Sequence, residues 1–296
     1  MTYQSVLKPG IFSGQTYVVT GGGSGIGRCT AHELASLGAK VIITGRKQEK
    51  LDKVVAEISE DGGSATSYAF DIRDEAAVEK AVADIVNTHG RIHGLVNNAG
   101  GQFPAPLEMI SLKGFEAVVK SNLVGGFLMS REFYKHCFQA HGGAIVNITA
   151  DNLNGMPAMG HSGAARAGME NLTKTCAWEW GFFGVRVNAV APGWVASSGF
   201  DTYDPHFQSL IKGVKNHVPL KRLAYEAEIS SVICFLLSPG GAFINGHTLR
   251  IDGGSSLGSA PAIWPLPEGN AVNSSPYNGF HRAELPAMLR DDEANE

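Results

Sequence analysis

From Thr16 onward, short apolar runs rich in β-branched residues alternate with longer stretches whose apolar positions recur every three or four residues. The first pattern marks strands and the second amphipathic helices. Strands are expected near Thr16 to Thr20, Lys40 to Thr44, Ser64 to Phe70, Gly94 to Asn97, Ala144 to Thr149, Val185 to Ala191 and Thr248 to Ile251. Helices fill the gaps: Ile26 to Leu37, Gln48 to Asp61, Asp74 to His89, Leu112 to Gln139, about Ser162 to Phe183, and Glu226 to Leu237. Strict alternation of the two predicts an α/β fold, a doubly wound parallel sheet with helices on both faces. After Gly253 the pattern fades, and five of the 13 prolines fall between Ser255 and Glu296. The expected organisation is therefore one domain over residues 1–258 and an irregular tail over residues 259–296, docked on the body or on a neighbouring subunit.

The first βα junction reads Thr-Gly-Gly-Gly-Ser-Gly-Ile-Gly from Thr20 to Gly27. The first turn of a helix leaves backbone N–H groups unpaired and carries the positive end of the helix dipole. Glycines let that backbone approach phosphate oxygens. Gly21, Ser24, Gly25, Ile26 and Gly27 are thus candidates to cradle a pyrophosphate, the plain alternative being a tight βα turn with no ligand. The register is Gly-x-x-x-Gly-x-Gly rather than Gly-x-Gly-x-x-Gly.

Composition narrows the function classes. At 296 residues and 44% apolar content the chain can bury a large core, and a net charge of −4 spread along it offers no basic face for nucleic acid. No apolar run approaches the roughly 20 residues of a membrane span, and the start lacks a secretory signature, so a cytoplasmic location is expected. Cys29, Cys137, Cys176 and Cys234 lie far apart in helical patterns. They read as buried free thiols, and no metal site is expected.

The second strand ends Thr44-Gly45-Arg46-Lys47. A carboxylate there would accept a hydrogen bond from an adenosine ribose and favour NAD. Gly45 removes that option, while Arg46 and Lys47 offer cations to a 2′-phosphate, so NADP (NADPH) is the expected cofactor; the same pair can also simply open a solvated helix. The third strand ends Phe70-Asp71-Ile72, placing a carboxylate and an apolar side chain for an adenine. Asp71 can equally cap the helix beginning near Asp74.

The fourth strand runs into Asn97-Asn98-Ala99-Gly100-Gly101-Gln102-Phe103. Together with the glycine turn, this string resembles the short-chain dehydrogenase/reductase family. The resemblance continues through Ser121-Asn122, the run from Arg186 to Gly193, and Ile251-Asp252-Gly253-Gly254, covering roughly Phe12 to Leu257. It implies a Rossmann-type sheet in the order 3-2-1-4-5-6-7. It also implies dinucleotide contacts from Asn98, Ala99 and Gly100, with Pro192, Gly193 and Val195 on the nicotinamide side.

The chain departs from the family pattern of serine, tyrosine, lysine and asparagine. Asn122 matches the asparagine. The helix that should carry Tyr-x-x-x-Lys reads His161-Ser162-Gly163-Ala164-Ala165-Arg166, with Ser162 at the tyrosine position and Arg166 at the lysine position; the expected serine falls on Thr149 or Ala150. A serine hydroxyl does not readily exchange a proton with an alcohol near neutral pH, and arginine does not deprotonate, which weakens a carbonyl or alcohol reaction. Arg166 can still clamp the nicotinamide ribose, and Ser162 can still donate to an oxygen. Reducing a double bond conjugated to a thioester needs only such donors for the developing enolate.

The string from His161 to Gly168, preceded by that from Asn97 to Phe103, resembles the peroxisomal trans-2-enoyl-CoA reductase branch, with tyrosine-less 2,4-dienoyl-CoA reductases more distant. The amino terminus, Met1 to Gln15, is similar to bacterial dehydrogenases of citronellol and citronellal catabolism. The expected substrate is thus a small-molecule acyl thioester, the alternatives being a terpenoid alcohol or aldehyde or a non-catalytic dinucleotide binder. His161, next to Ser162, is a candidate proton relay, though helix-terminal histidines more often cap or pack. The long helices from Leu112 and Ser162 carry small residues suited to close contact, and the resemblance implies a homotetramer paired through them.

Overall fold

The computed structural model describes residues 2–257, 265–271 and 273–293. Seven strands, β1 (Thr16–Thr20), β2 (Lys40–Gly45), β3 (Ser64–Ala69), β4 (Gly94–Asn97), β5 (Gly143–Ile148), β6 (Val185–Pro192) and β7 (Thr248–Ile251), form one sheet in the order β3-β2-β1-β4-β5-β6-β7. Every pairing is parallel, with Val18 of β1 opposite Ile42 of β2 and Leu95 of β4. Successive side chains of a strand face opposite ways, so each central strand feeds two cores. Tyr17, Val19, Ile43, Val96 and Val146 pack on one face with Leu34, Leu51 and Ile233. Val18, Ile42, Leu95 and Ile145 pack on the other with Val82, Phe133 and Cys176. Each such side chain contributes roughly 1.5–3 kcal/mol of transfer free energy, which makes the strand ends a rigid frame for what they carry.

The crossovers are helices α1 (Gly25–Ser36), α2 (Gln48–Glu60) and α3 (Glu75–His89). Asp74 caps α3, its carboxylate accepting from the Ala77 N–H at 3.1 Å. The capping role weighed for Asp71 therefore belongs to Asp74.

The helix expected from Leu112 to Gln139 is continuous but not uniform. It comprises α4 (Leu112–Val119), α5 (Gly125–Phe133) and α6 (Gln139–His141), joined by π-helical turns at Lys120–Val124 and Tyr134–Phe138. Each π turn inserts a residue and rotates the face that follows, a device common at functional sites. The first holds Asn122. Helix α7 (Gly160–Gly181) carries Ser162 and Arg166, and α9 (Glu226–Leu237) packs against α1.

Two helices were not expected. In α8 (Pro205–Val214), Asp204 accepts from the Phe207 N–H at 3.0 Å and Pro205 takes the first position, a cap and proline start that was readable in the sequence. The second, α10 (Ala287–Glu293), lies in the tail that was expected to be irregular. Met288 is buried there against Phe200 and Ile211, so burial offsets the entropy cost of a seven-residue helix too short to persist alone.

The tail docks on the body. Arg282 pairs with Asp61 at 2.9 Å and with Glu60 at 2.9 Å, and Phe280 packs with Tyr3 and Ala227. The expected boundary at residues 258–259 lies outside the described residues. All four cysteines are buried and free. Among the described residues no helix is long and apolar enough to cross a membrane.

Candidate active site

At the end of β1 the Thr20 hydroxyl accepts from the Asn98 N–H at 3.0 Å and the Ala99 N–H at 2.9 Å. Asn98 Nδ2 in turn donates to the carbonyls of Thr20 at 2.9 Å and Gly21 at 3.3 Å. This reciprocal bracing between the ends of β1 and β4 fixes the glycine turn, so the Asn98 side chain shapes the cradle from behind. Gly21 and Gly25 sit at φ of 66° and 57°, the left-handed region. The first helical bond of α1 runs from the Arg28 N–H to the Ser24 carbonyl at 3.1 Å. The N–H groups of Gly25, Ile26 and Gly27 precede it and meet no acceptor among the described residues. Ser24 is exposed, and its hydroxyl makes no cap. A glycine-rich turn of this kind, with unpaired N–H groups at the positive end of a helix, fits a pyrophosphate.

Arg46 and Lys47 are exposed at the end of β2, and Lys47 precedes the first turn of α2. Arg46 forms no hydrogen bond or ion pair among the described residues, but its charge helps hold the Asp71 carboxyl low. The main cause there is Arg73, which donates from Nε to both Asp71 oxygens at 2.9 and 3.0 Å. Asp71 thus already has a partner at the place assigned to an adenine. Ile72 is buried, and a Cβ added to Gly125 would stand 2.5 Å from its Cδ1.

Loops after β4, β5 and β6 and residues of the first π turn and α7 meet at the place expected for the nicotinamide. Pro192 closes β6, and its carbonyl accepts from the Asp151 N–H at 2.9 Å. Gly193 donates to the Ile251 carbonyl at 3.0 Å, while Val195 is buried and bridged to Ala224. Asn122 Oδ1 accepts from the Gly101 N–H at 2.8 Å, and its Nδ2 faces Ser162 Oγ at 3.5 Å. Ser162, fully buried, donates to Gln102 Oε1 at 2.6 Å, and Gln102 Nε2 donates to the Tyr203 hydroxyl at 3.4 Å. Asn122, Ser162 and Arg166 are therefore brought together, and Gln102 and Tyr203 join them. Gln102 stood in a quoted motif without a role; Tyr203 had no local signal at all.

Arg166 is 9% exposed, and burial pulls its guanidinium down to about 10. It donates from Nη1 to the Ile148 carbonyl at 2.5 Å, no carboxylate pairs with it among the described residues, and its Nε has no acceptor. An added Cβ on Gly100 would stand 3.0 Å from its Nη2 and 2.7 Å from Asn122 Oδ1, which ties the loop after β4 to this cation. An uncompensated buried charge costs several kcal/mol, so its persistence beside a glycine-lined loop fits a polar ligand such as a ribose.

Two further candidates have no bond to the Ser162 hydroxyl. The Thr149 hydroxyl donates to the Val190 carbonyl at 3.1 Å and lies 3.5 Å from Glu170, so it serves the sheet rather than Ser162. His161 is fully buried, its ring edge-on to Phe103 at 4.5 Å between centroids. Its Nδ1 accepts from the Ser162 N–H at 2.9 Å, its Nε2 is buried with no partner among the described residues, and neither nitrogen bonds the Ser162 hydroxyl.

Comparison with known proteins identifies the family. Residues 21–256 match the family model described as enoyl-(acyl carrier protein) reductase. The chain is 36% identical over 247 residues, 82% of its length and 97% of the relative, to a probable 2,4-dienoyl-CoA reductase of Bacillus subtilis (strain 168). A citronellol catabolism dehydrogenase of Pseudomonas aeruginosa PAO1 superposes with a TM-score of 0.78 at 58% identity, over 86% of this chain and 100% of that one. A gluconate 5-dehydrogenase structure from Beutenbergia cavernae, described as putative and NAD(P)-dependent and containing bound NADP, gives 0.78 at 33% identity over 84% and 99%. The chain belongs to the short-chain dehydrogenase/reductase family and is a nicotinamide-dinucleotide-dependent oxidoreductase.

Proposed function

We propose that this protein is an NADPH-dependent reductase of the carbon–carbon double bond of a 2-enoyl thioester. One observation carries the reading: Ser162 and the buried Arg166 supply a donor and a fixed cation where a carbonyl reductase needs a phenol and lysine that trade a proton. Bound across the glycine turn and the Arg166 loop, the reduced dinucleotide would supply a hydride to the β carbon. Ser162, oriented by Asn122, then donates to the thioester oxygen as negative charge builds there. Arg166 holds the ribose and places positive charge beneath the ring. The unpaired Arg46 at the end of β2 supports a 2′-phosphate, hence NADPH over NADH.

A second reading, an alcohol or aldehyde dehydrogenase for an acyclic terpenoid, is favoured by the 58% identity to the citronellol catabolism dehydrogenase. The two separate in one spectrophotometric experiment that follows NADPH loss with a 2-enoyl-CoA and NADP reduction with citronellol. Loss with the enoyl-CoA alone supports the reductase. Reduction with citronellol alone, abolished in His161→Ala, overturns it; silence in both leaves a dinucleotide-binding protein.

We assign the protein to the cytoplasm, where its four buried free thiols stay reduced. A homotetramer is supported by an apolar groove of about 310 Å³ between the long helices, lined by Leu123, Val124, Phe127, Gly168 and Leu172 among others. Light scattering that shows a monomer at micromolar concentration would reject the assembly.

A further inference from the structure

We propose that Tyr203 is the acid that protonates the α carbon of the thioester, and that the carboxamide of Gln102 marks the place of the reacting O=C–Cα unit. The inference rests on the enoyl thioester reading. Gln102 is held at both ends of its amide: Oε1 accepts from Ser162 Oγ at 2.6 Å, and Nε2 reaches Tyr203 Oη at 3.4 Å. The oxygen and nitrogen of a carboxamide stand about 2.3 Å apart across one carbon, nearly the separation of a carbonyl oxygen and the α carbon beside it. An enolate laid over this amide puts its oxygen on Ser162 and its α carbon against the Tyr203 hydroxyl.

The proton on Tyr203 is free for this use, because its oxygen accepts from Gln102 rather than donating to it. The phenol is also held in place. Gln208 Nε2 donates to the Tyr203 carbonyl at 2.9 Å and the Phe200 carbonyl at 3.3 Å, and the Tyr203 ring packs edge-on to Phe207 at 5.3 Å. The tail backs the same loop: Asp201 accepts from the Ala287 N–H at 2.9 Å, and Met288 is buried on Phe200. The phenol absent from position 162 is thus presented from the opposite side, across a side chain that the substrate displaces.

The step balances. Hydride adds to the β carbon and the π pair moves onto the thioester oxygen, where Ser162 receives it. The carbonyl then re-forms as the α carbon takes the Tyr203 proton, and water reprotonates the phenolate.

The test uses the full chain with NADPH and but-2-enoyl-CoA in D₂O, reading the face of deuterium at the α carbon by NMR. Wild type should place one deuterium on a single face. Tyr203→Phe should lower kcat about 100-fold and spread deuterium over both faces, since solvent then delivers the proton. A second measurement needs no turnover: Gln102→Leu removes the competing acceptor, so the cofactor-free protein should bind butanoyl-CoA about fivefold more tightly by calorimetry. Tyr203→Phe with kcat within twofold of wild type and single-face deuteration overturns the acid. Weaker butanoyl-CoA binding by Gln102→Leu overturns the stand-in. A wild-type protein that consumes no NADPH with the enoyl-CoA overturns the thioester reading itself, and the assignment with it.

Discussion

Arg166 hydrogen-bonds the backbone carbonyl of Ile148, the last residue of β5, at 2.5 Å and presents a buried Nε with no acceptor, so a permanent cation is anchored to the sheet with that N–H still to use. A lysine could anchor or reach outward, but a planar guanidinium does both at once.

Arg166→Ala should therefore raise the cofactor KM and lower kcat together, because the nicotinamide loses its position as well as its charge. Ser162→Ala should leave cofactor binding intact and lower enoyl thioester turnover by roughly 10²–10³, the usual loss for one oxyanion donor. Steady-state kinetics separates the two patterns. The double variant Ser162→Tyr, Arg166→Lys should gain nothing with an enoyl substrate.

Arg46→Ala should erase most of a preference for NADPH over NADH. A charge-assisted hydrogen bond to a 2′-phosphate is worth about 1.5–3 kcal/mol, or roughly 10- to 100-fold in the ratio of affinities. Equilibrium fluorescence titration with both cofactors measures it, and an unchanged ratio rejects NADPH as the natural partner.

Gly27→Ala should weaken cofactor binding and the fold together. Its Cβ would stand 2.5 Å from the Gly21 carbonyl and overlap Asn98 Nδ2, the group that braces the turn. Overpacking against backbone costs about 1–3 kcal/mol, and the phosphate cradle has to open to relieve it. Urea denaturation and cofactor titration of the variant should move in the same direction.

Glu226 should take stability away as pH rises from about 4.5 to 7. Burial is the main cause that raises its carboxyl from 4.5 to about 7, and its Oε1 lies 3.8 Å from where a Cβ on Gly25 would be. Within that window the unfolded chain releases a proton that the folded chain keeps, so rising pH favours unfolding, by at most about 3 kcal/mol. His32 opposes it: burial lowers its imidazole to about 4, so its contribution grows as pH rises from about 4 to 6.5. Glu226→Gln keeps the histidine's contribution and loses the carboxyl's. Its advantage over wild type in urea midpoint should be larger at pH 8 than at pH 5, and an equal advantage at both removes Glu226 as the cause.

By itself the sequence determined the seven strands and the glycine turn, because a two-residue period, a three-to-four-residue period and a run of glycines are local signals set by backbone geometry. It also located Asn122, Ser162 and Arg166, whose neighbours form recognisable strings. What each side chain touches was decided only in three dimensions. Asn122 faces Ser162 from within a π turn that no periodicity announces, since one inserted residue leaves the apolar pattern nearly unchanged. Asp74 rather than Asp71 caps α3, and Arg73 takes Asp71, a choice between two carboxylates three residues apart that depends on where the chain leaves β3. Thr149 turned its hydroxyl to β6 because the neighbouring strand offered the Val190 carbonyl. The contacts from Ser162 to Gln102 and from Gln102 to Tyr203 span 60 and 101 residues, and the tail became a helix only where Phe200 and Ile211 gave Met288 a surface. Such pairings depend on how loops converge at the strand ends, and that convergence is a property of the packed sheet rather than of any stretch of chain.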